Sequence, residues 1–182
     1  AGRGGRPVCG GGGAQGRWRG VGCGPGENSD RRGGPFVGPA GQLLDNMLKA
    51  IGLSRTATGA KAVYIANVLK CRPPANRNPQ PGEMLQCEPY LQRQVELLQP
   101  KIILALGRIA AQALLSATVP DVASTPLGKL RGQVHRYLGV PVVVSYHPAY
   151  LLRTPQDKAK AWIDLCLALD VAGRPEETPN TN

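Results

Sequence analysis

Three short runs rich in β-branched and aliphatic residues alternate with segments of helical periodicity, and this alternation constrains the fold more than any other feature of the chain. The runs are Val63-Tyr64-Ile65-Ala66-Asn67-Val68, Lys101-Ile102-Ile103-Leu104-Ala105-Leu106 and Pro141-Val142-Val143-Val144-Ser145-Tyr146. Near-continuous apolar strands of this kind are buried on both faces, as in parallel sheets. Between and around them lie helical patterns. Leu43, Leu44, Met47, Leu48 and Ile51 recur at helical spacing before Gly52. A second helix is predicted from about Glu88 to Leu98 with Pro89 in its first turn, and an Ala-rich one from Gly107 to about Leu115. The last, from about Gln156 to Ala172, is expected to carry Trp162, Leu165 and Leu169 on one face. Residues 133–138 read as an edge strand. The fold class is therefore α/β: three α/β/α layers around a central, mostly parallel four-stranded sheet. In such folds ligands bind beyond the carboxyl ends of the strands, which directs attention to residues 22–26, 67–71, Gly107 and 147–153.

Composition adds boundaries and a partner. Residues 1–34 are dense in Gly and Arg and include Gly10-Gly11-Gly12-Gly13. Such a stretch buries too little apolar surface to offset its ordering entropy. The expected organisation is a disordered arm at 1–17, one domain at 18–172 and a disordered tail at 173–182. Lys and Arg total 22 against 12 acidic residues, a net charge of +10. That balance fits a polyanion such as DNA, and equally a solubilising surface or basic tail. No apolar run approaches the roughly 20 residues that span a bilayer, and no signal-like segment opens the chain. A cytoplasmic protein without a membrane partner is expected. Five scattered cysteines argue for thiols or metal ligands rather than disulfides.

Single residues leave alternatives open. His147, after a buried strand, suits either hydrogen bonding to a developing anion or capping of a sheet edge. Asn67 presents donors and an acceptor that read a base edge, or it stabilises a turn. Cys71 and Cys87 bracket a Pro-rich loop; they are either cluster ligands or unrelated thiols.

The ordered combination is more specific. Gly33-Gly34-Pro35-Phe36-Val37-Gly38-Pro39-Ala40-Gly41-Gln42-Leu43-Leu44-Asp45, then Asn67-Val68-Leu69-Lys70-Cys71-Arg72-Pro73-Pro74, then Cys87-Glu88-Pro89-Tyr90-Leu91, then His147-Pro148-Ala149-Tyr150-Leu151 together resemble the family 4 uracil-DNA glycosylases over about residues 20–170. The resemblance implies hydrolysis of the N-glycosidic bond of uracil in DNA, leaving an abasic site for base excision repair. It implies that Phe36 stacks on a flipped uracil, Asn67 pairs with its edge and His147 faces O2 as the catalytic group. Gly22 and Gly24 would border the base, and Pro148, Leu151 and Arg153 would contact DNA, the loop entering the minor groove. Cys71 and Cys87 would be two of the four ligands of a [4Fe–4S] cluster. The partner would be uracil-containing DNA, single-stranded or with U·G or U·A pairs, bound by a monomer.

The first segment departs from the family pattern. Gly-Glu-Ala-Pro-Gly-x-x-Glu-Asp is expected, whereas the chain reads Gly22-Cys23-Gly24-Pro25-Gly26-Glu27-Asn28-Ser29-Asp30. Cys23 and Ser29 replace acids, Arg19 and Gly20 are poor residues for a central strand, and the family's N-terminal cysteine pair is absent. Two readings follow: an altered or truncated first segment, or a diverged paralogue. Three functions stay in competition: an active glycosylase, an impaired DNA-binding module, and a structural iron–sulfur protein.

Overall fold

A computed structural model describes residues 8, 10–13 and 16–173. Its sheet has six strands in the order β1-β3-β2-β4-β6-β5. These are β1 (Gly11–Gly12), β2 (Trp18–Gly22), β3 (Val63–Asn67), β4 (Ile102–Leu106), β5 (Val134–Tyr137) and β6 (Val140–Ser145). The β2, β3, β4 and β6 strands pair in parallel and form the expected four-stranded centre. Antiparallel β1 and β5 are added at the two edges.

Side chains alternate across this sheet with period two, and each set meets its own helices. Ile103, Ala105, Val142 and Val144 pack with Leu91 and Val95 of α3 (Pro81–Leu98), and with Ala110 and Leu114 of α4 (Arg108–Leu115). Ile102, Leu104, Leu106 and Val143 pack with Leu44 and Leu48 of α2 (Pro39–Ala50), and with Leu165 and Ala168 of α7 (Lys158–Gly173). Two cores back to back on one sheet give the three layers. Shorter helices α1 (Glu27–Arg32), α5 (Leu127–Leu130) and α6 (Pro148–Arg153) fill connections. No helix among the described residues is long and apolar enough to cross a membrane.

Several expectations need correction. The arm to residue 17 is not wholly disordered: β1 pairs with β3, and Val8 is buried with its N–H donating to the Lys70 carbonyl at 2.7 Å. Glycine makes this pairing possible. Gly12 has φ 114, and a Cβ there would collide with the Val63 carbonyl oxygen. Residues 1–7, 9, 14 and 15 of that arm, and 174–182 of the tail, lie outside the described residues; Gly173 closes α7. Helix α3 begins at Pro81, a full two turns before Glu88, because Pro81 suits a first helical position and Glu83 accepts from the Gln80 N–H at 2.9 Å. Pro89 therefore sits inside the helix. On α7 the buried face is Ala161, Asp164, Leu165 and Ala168, while Trp162 and Leu169 turn outward. Asp164 takes a core position because Arg131 grips it with two bonds, of 2.7 and 3.0 Å.

Arg19 does lie in a central strand, and it is 1% exposed. One nitrogen donates to Gln94 Oε1 on α3 at 2.8 Å, and the guanidinium lies 5.2 Å from the Tyr64 ring centroid. Lys70 Nζ shares the same Gln94 oxygen at 3.0 Å. The other two Arg19 nitrogens are buried without partners, and burial pulls its pKa down to about 10. A cation so placed is tolerated at a cost, since an apolar side chain of similar volume would need no desolvation. Arg19→Met is accordingly expected to raise unfolding stability by about 1 to 3 kcal/mol in urea titration. A loss of stability of that size would show that the guanidinium is a net stabiliser.

Candidate active site

The parallel register of β2 and β3 sets Gly22 opposite Asn67 at the carboxyl ends of the two strands. A Cβ on Gly22 would lie 2.6 Å from Phe36 Cζ and 2.7 Å from Asn67 Oδ1. Glycine at 22 is what lets the aromatic ring and the carboxamide approach one another. The Phe36 ring then stacks on the His147 ring, with centroids 5.2 Å apart and planes 26° apart. Ring, amide and imidazole thus converge on one place, reached from the ends of β2, β3 and β6.

Asn67 is 1% exposed, and both its Nδ2 and Oδ1 lack hydrogen-bond partners. A buried amide left unpaired costs about 1 to 3 kcal/mol. Its backbone, in contrast, is tied down: Lys70 Nζ donates to the Asn67 carbonyl at 2.7 Å. The structure therefore holds a fixed backbone with an unsatisfied, buried side-chain amide.

His147 is the N-cap of α6. Its Nδ1 accepts the Ala149 N–H at 3.1 Å, so in the neutral ring the proton is on Nε2, which is a donor. Burial, with the nearby Arg153 charge adding to it, lowers the pKa from 6.5 to about 4. Behind it, Tyr146 stacks on Tyr150 at 5.0 Å, Arg131 lies over Tyr146 at 4.4 Å, and Tyr150 donates to Asp157 at 2.6 Å. These contacts tie the residues that flank His147 to α7 and its approach, which the sequence pattern did not mark.

A cleft of about 270 Å³ opens beside these groups, lined by Gly24, Glu27, Phe36, Pro39, His147 and Ala149 among others. Gly24 lines it, while Gly22 lies behind the Phe36 ring and the Asn67 carboxamide. Cys23, between them, is partly buried, and burial pushes its thiol up to about 11. It is uncharged at neutral pH. Among the residues lining the cleft, Glu27 is the one carboxylate.

The DNA-facing residues fall less simply. Residues 148–153 form helix α6 rather than an open loop, and its turn points Leu151 inward at 1% exposure. Pro148 is buried as well. Leu152, 43% exposed, and Arg153 face out instead. Leu151, expected at a DNA contact, is thus part of the packed interior.

Cys71 is exposed at the end of the β3 loop, and Cys87 is partly buried within α3 rather than at its start. Among the described residues no group of three or more His, Cys, Asp or Glu side chains is placed to hold a metal. The four cysteines among the described residues do not assemble a four-thiolate site; Cys9 lies outside those residues.

The fold and cleft define the class: residues 11–168 match the uracil DNA glycosylase superfamily. The chain is 41% identical over 162 residues to the type-4 uracil-DNA glycosylase of Archaeoglobus fulgidus, covering 87% of this chain and 78% of that protein. It is 43% identical over 141 residues to that of Thermotoga maritima, covering 77% and 68%. With the Sulfurisphaera tokodaii protein of the same name it shares 44% over 140 residues, 74% of this chain and 60% of that one. The chain belongs to the type-4 uracil-DNA glycosylase family.

Two outcomes follow. Because the folded pKa of His147 lies below its ordinary value, its contribution to stability is complete above about pH 6.5 and declines as pH falls toward 4. In an NMR titration the His147 ring is expected to titrate near 4; a midpoint near 6.5 would show that burial does not disfavour its charged form. Iron analysis of protein refolded with iron and sulfide is expected to give far less than one cluster per chain, and a brown protein with stoichiometric iron would contradict the ligand count.

Proposed function

We propose that the chain hydrolyses the N-glycosidic bond of uracil in DNA, with Asn67, Phe36 and His147 as the base-recognition and leaving-group site. The observation that carries the reading is the buried, unpartnered carboxamide of Asn67 beside the Phe36 ring. Uracil offers at one edge an acceptor at O4 and a donor at N3, which an amide matches in a single orientation. Cytosine reverses the groups at N3 and position 4, so in the orientation that suits uracil the amide meets donor with donor and acceptor with acceptor; rejection of cytosine requires the bound amide to keep that orientation. Discrimination of about 1 to 3 kcal/mol is expected from that mismatch.

Reaching the site requires flipping the nucleotide from the stack, at a cost of a few kcal/mol that is smallest for a single strand or a U·G pair. Phe36 takes over part of the lost stacking. As the bond from C1′ to N1 breaks, its electron pair goes to the base and negative charge grows on O2. The Nε2–H of neutral His147 donates to that oxygen and gains most as the charge develops. Water then adds to C1′ and loses a proton to solvent, which returns one to the uracil anion, leaving the abasic sugar and neutral uracil. A carboxylate would favour both the sugar cation and the water. Cys23, a protonated thiol, supplies neither charge nor base. Arg153 and Leu152, both exposed on α6, would meet the strand beside the flipped nucleotide. The proposed setting is a cytoplasmic monomer acting on single-stranded uracil-DNA or on U·G and U·A duplexes.

A second reading, a DNA-binding module without turnover, rests on the loss of the first-motif acid at Cys23 and of half the cluster ligands. Uracil release from a single-stranded oligonucleotide separates the two. His147→Ala is expected to slow release about 10²- to 10³-fold, the scale of one lost anion-stabilising donor. Cys23→Glu is expected to raise it by about 10²-fold or more. Salt-dependent binding with no abasic product in either the native chain or Cys23→Glu would favour the binding module.

A further inference from the structure

Phe36 holds a backbone conformation that an aromatic residue seldom adopts, with φ 53. Such a geometry persists only where its surroundings over-determine it. Two contacts do so here, one on each flanking peptide plane. On the far side, α2 packs so close that a Cβ on Gly41 would collide with the Phe36 carbonyl oxygen. On the near side, Arg55 NH1 donates to the Pro35 carbonyl at 2.9 Å while its Nε binds Asp45 of α2 at 2.6 Å. The Arg55 side chain is 17% exposed. Its base is anchored too: neighbouring Ser54 donates its N–H to the Lys61 carbonyl at 3.0 Å and accepts from the Val63 N–H at 3.1 Å, at the start of β3.

The φ of Phe36 is the rotation between the Pro35–Phe36 peptide plane and the Phe36 Cα. We propose that Arg55 is a positioning residue for Phe36: by gripping that plane while braced on Asp45, it sets φ and so aims the ring at His147 and the base site. The guanidinium fork spans a carbonyl and a carboxylate at once, which one ammonium cannot do with the same geometry. The claim rests on the reading of Phe36 as the stacking face, so its test must separate the two.

The chain has two histidines, His135 and His147. Only His147 lies against Phe36, so its carbon-bound ring protons report the stack through the aromatic ring current. In Arg55→Ala these signals are expected to move most of the way to their positions in Phe36→Ala, while the His135 signals on β5 stay put and certify the fold. Arg55→Lys and Asp45→Asn are expected to move them part of the way, and they carry the test if Arg55→Ala does not fold. His147 signals unchanged in all three variants, with a clear displacement in Phe36→Ala, would overturn the proposal. In uracil release from a single strand, Arg55→Ala is expected to lower kcat/KM by about ten- to a hundredfold, chiefly through KM, and to add little in a Phe36→Ala background. Equal losses in both backgrounds would also overturn it. Should Phe36→Ala leave release unchanged, the stacking role falls, while the His147 signals still decide what Arg55 does.

Discussion

Everything at the site depends on the register between β2 and β3. Parallel pairing sets Gly22 against Asn67, and the missing side chain at 22 is the gap into which the Phe36 ring and the Asn67 carboxamide both fit. Shift the pairing by one residue and every side chain on the strand changes face. Asn67 would leave the end of the sheet, and no adjustment of the loops would return it. The backbone hydrogen bonds of the ladder thus fix a geometry that the amide itself does nothing to hold, since it has no partner of its own.

The rigidity has an unusual foundation. Gln94 on α3 accepts from both Arg19 and Lys70, and Lys70 in turn holds the Asn67 carbonyl. A helix on one face of the sheet is thereby tied to the strand end through two buried cations and one neutral oxygen. Lys70 contributes to the site by fixing the turn after β3. Arg19 contributes only a second claim on the same acceptor, at the expense of two nitrogens stripped of water. The Gly/Arg-biased first segment has entered the centre of the fold and been accommodated by Tyr64, whose ring supplies the one favourable surface at hand.

Much of this was legible in the amino-acid sequence. The apolar runs of β3, β4 and β6 declared a parallel centre because a strand covered on both faces has no polar face to show. The places of Asn67 and His147 followed from where β3 and β6 end, whereas Phe36, between α1 and α2, was marked by the family resemblance alone. What stayed hidden depended on a single rotation or a distant partner. Leu151 and Leu152 are identical in type, and only the turn of α6 decides which one faces out. Trp162 reads as core by its chemistry, yet Asp164 takes the inner position because Arg131, thirty-three residues away, neutralises it. The β1 pairing escaped notice because four consecutive glycines carry no pattern. The early start of α3 depended on a capping carboxylate, at Glu83, that precedes a proline normally read as a boundary.

Pro148 has a consequence for the neighbouring imidazole. Having no amide proton, it removes the donor nearest to the His147 ring, and the first N–H available to Nδ1 is that of Ala149. A half-turn of the ring would forfeit that bond and present a bare lone pair to the cleft. The Ala149 N–H, held in place by the turn that Pro148 begins, therefore gives an otherwise reversible heterocycle a single polarity. The cleft meets a proton from this residue and never an acceptor, without any carboxylate having to enforce the choice.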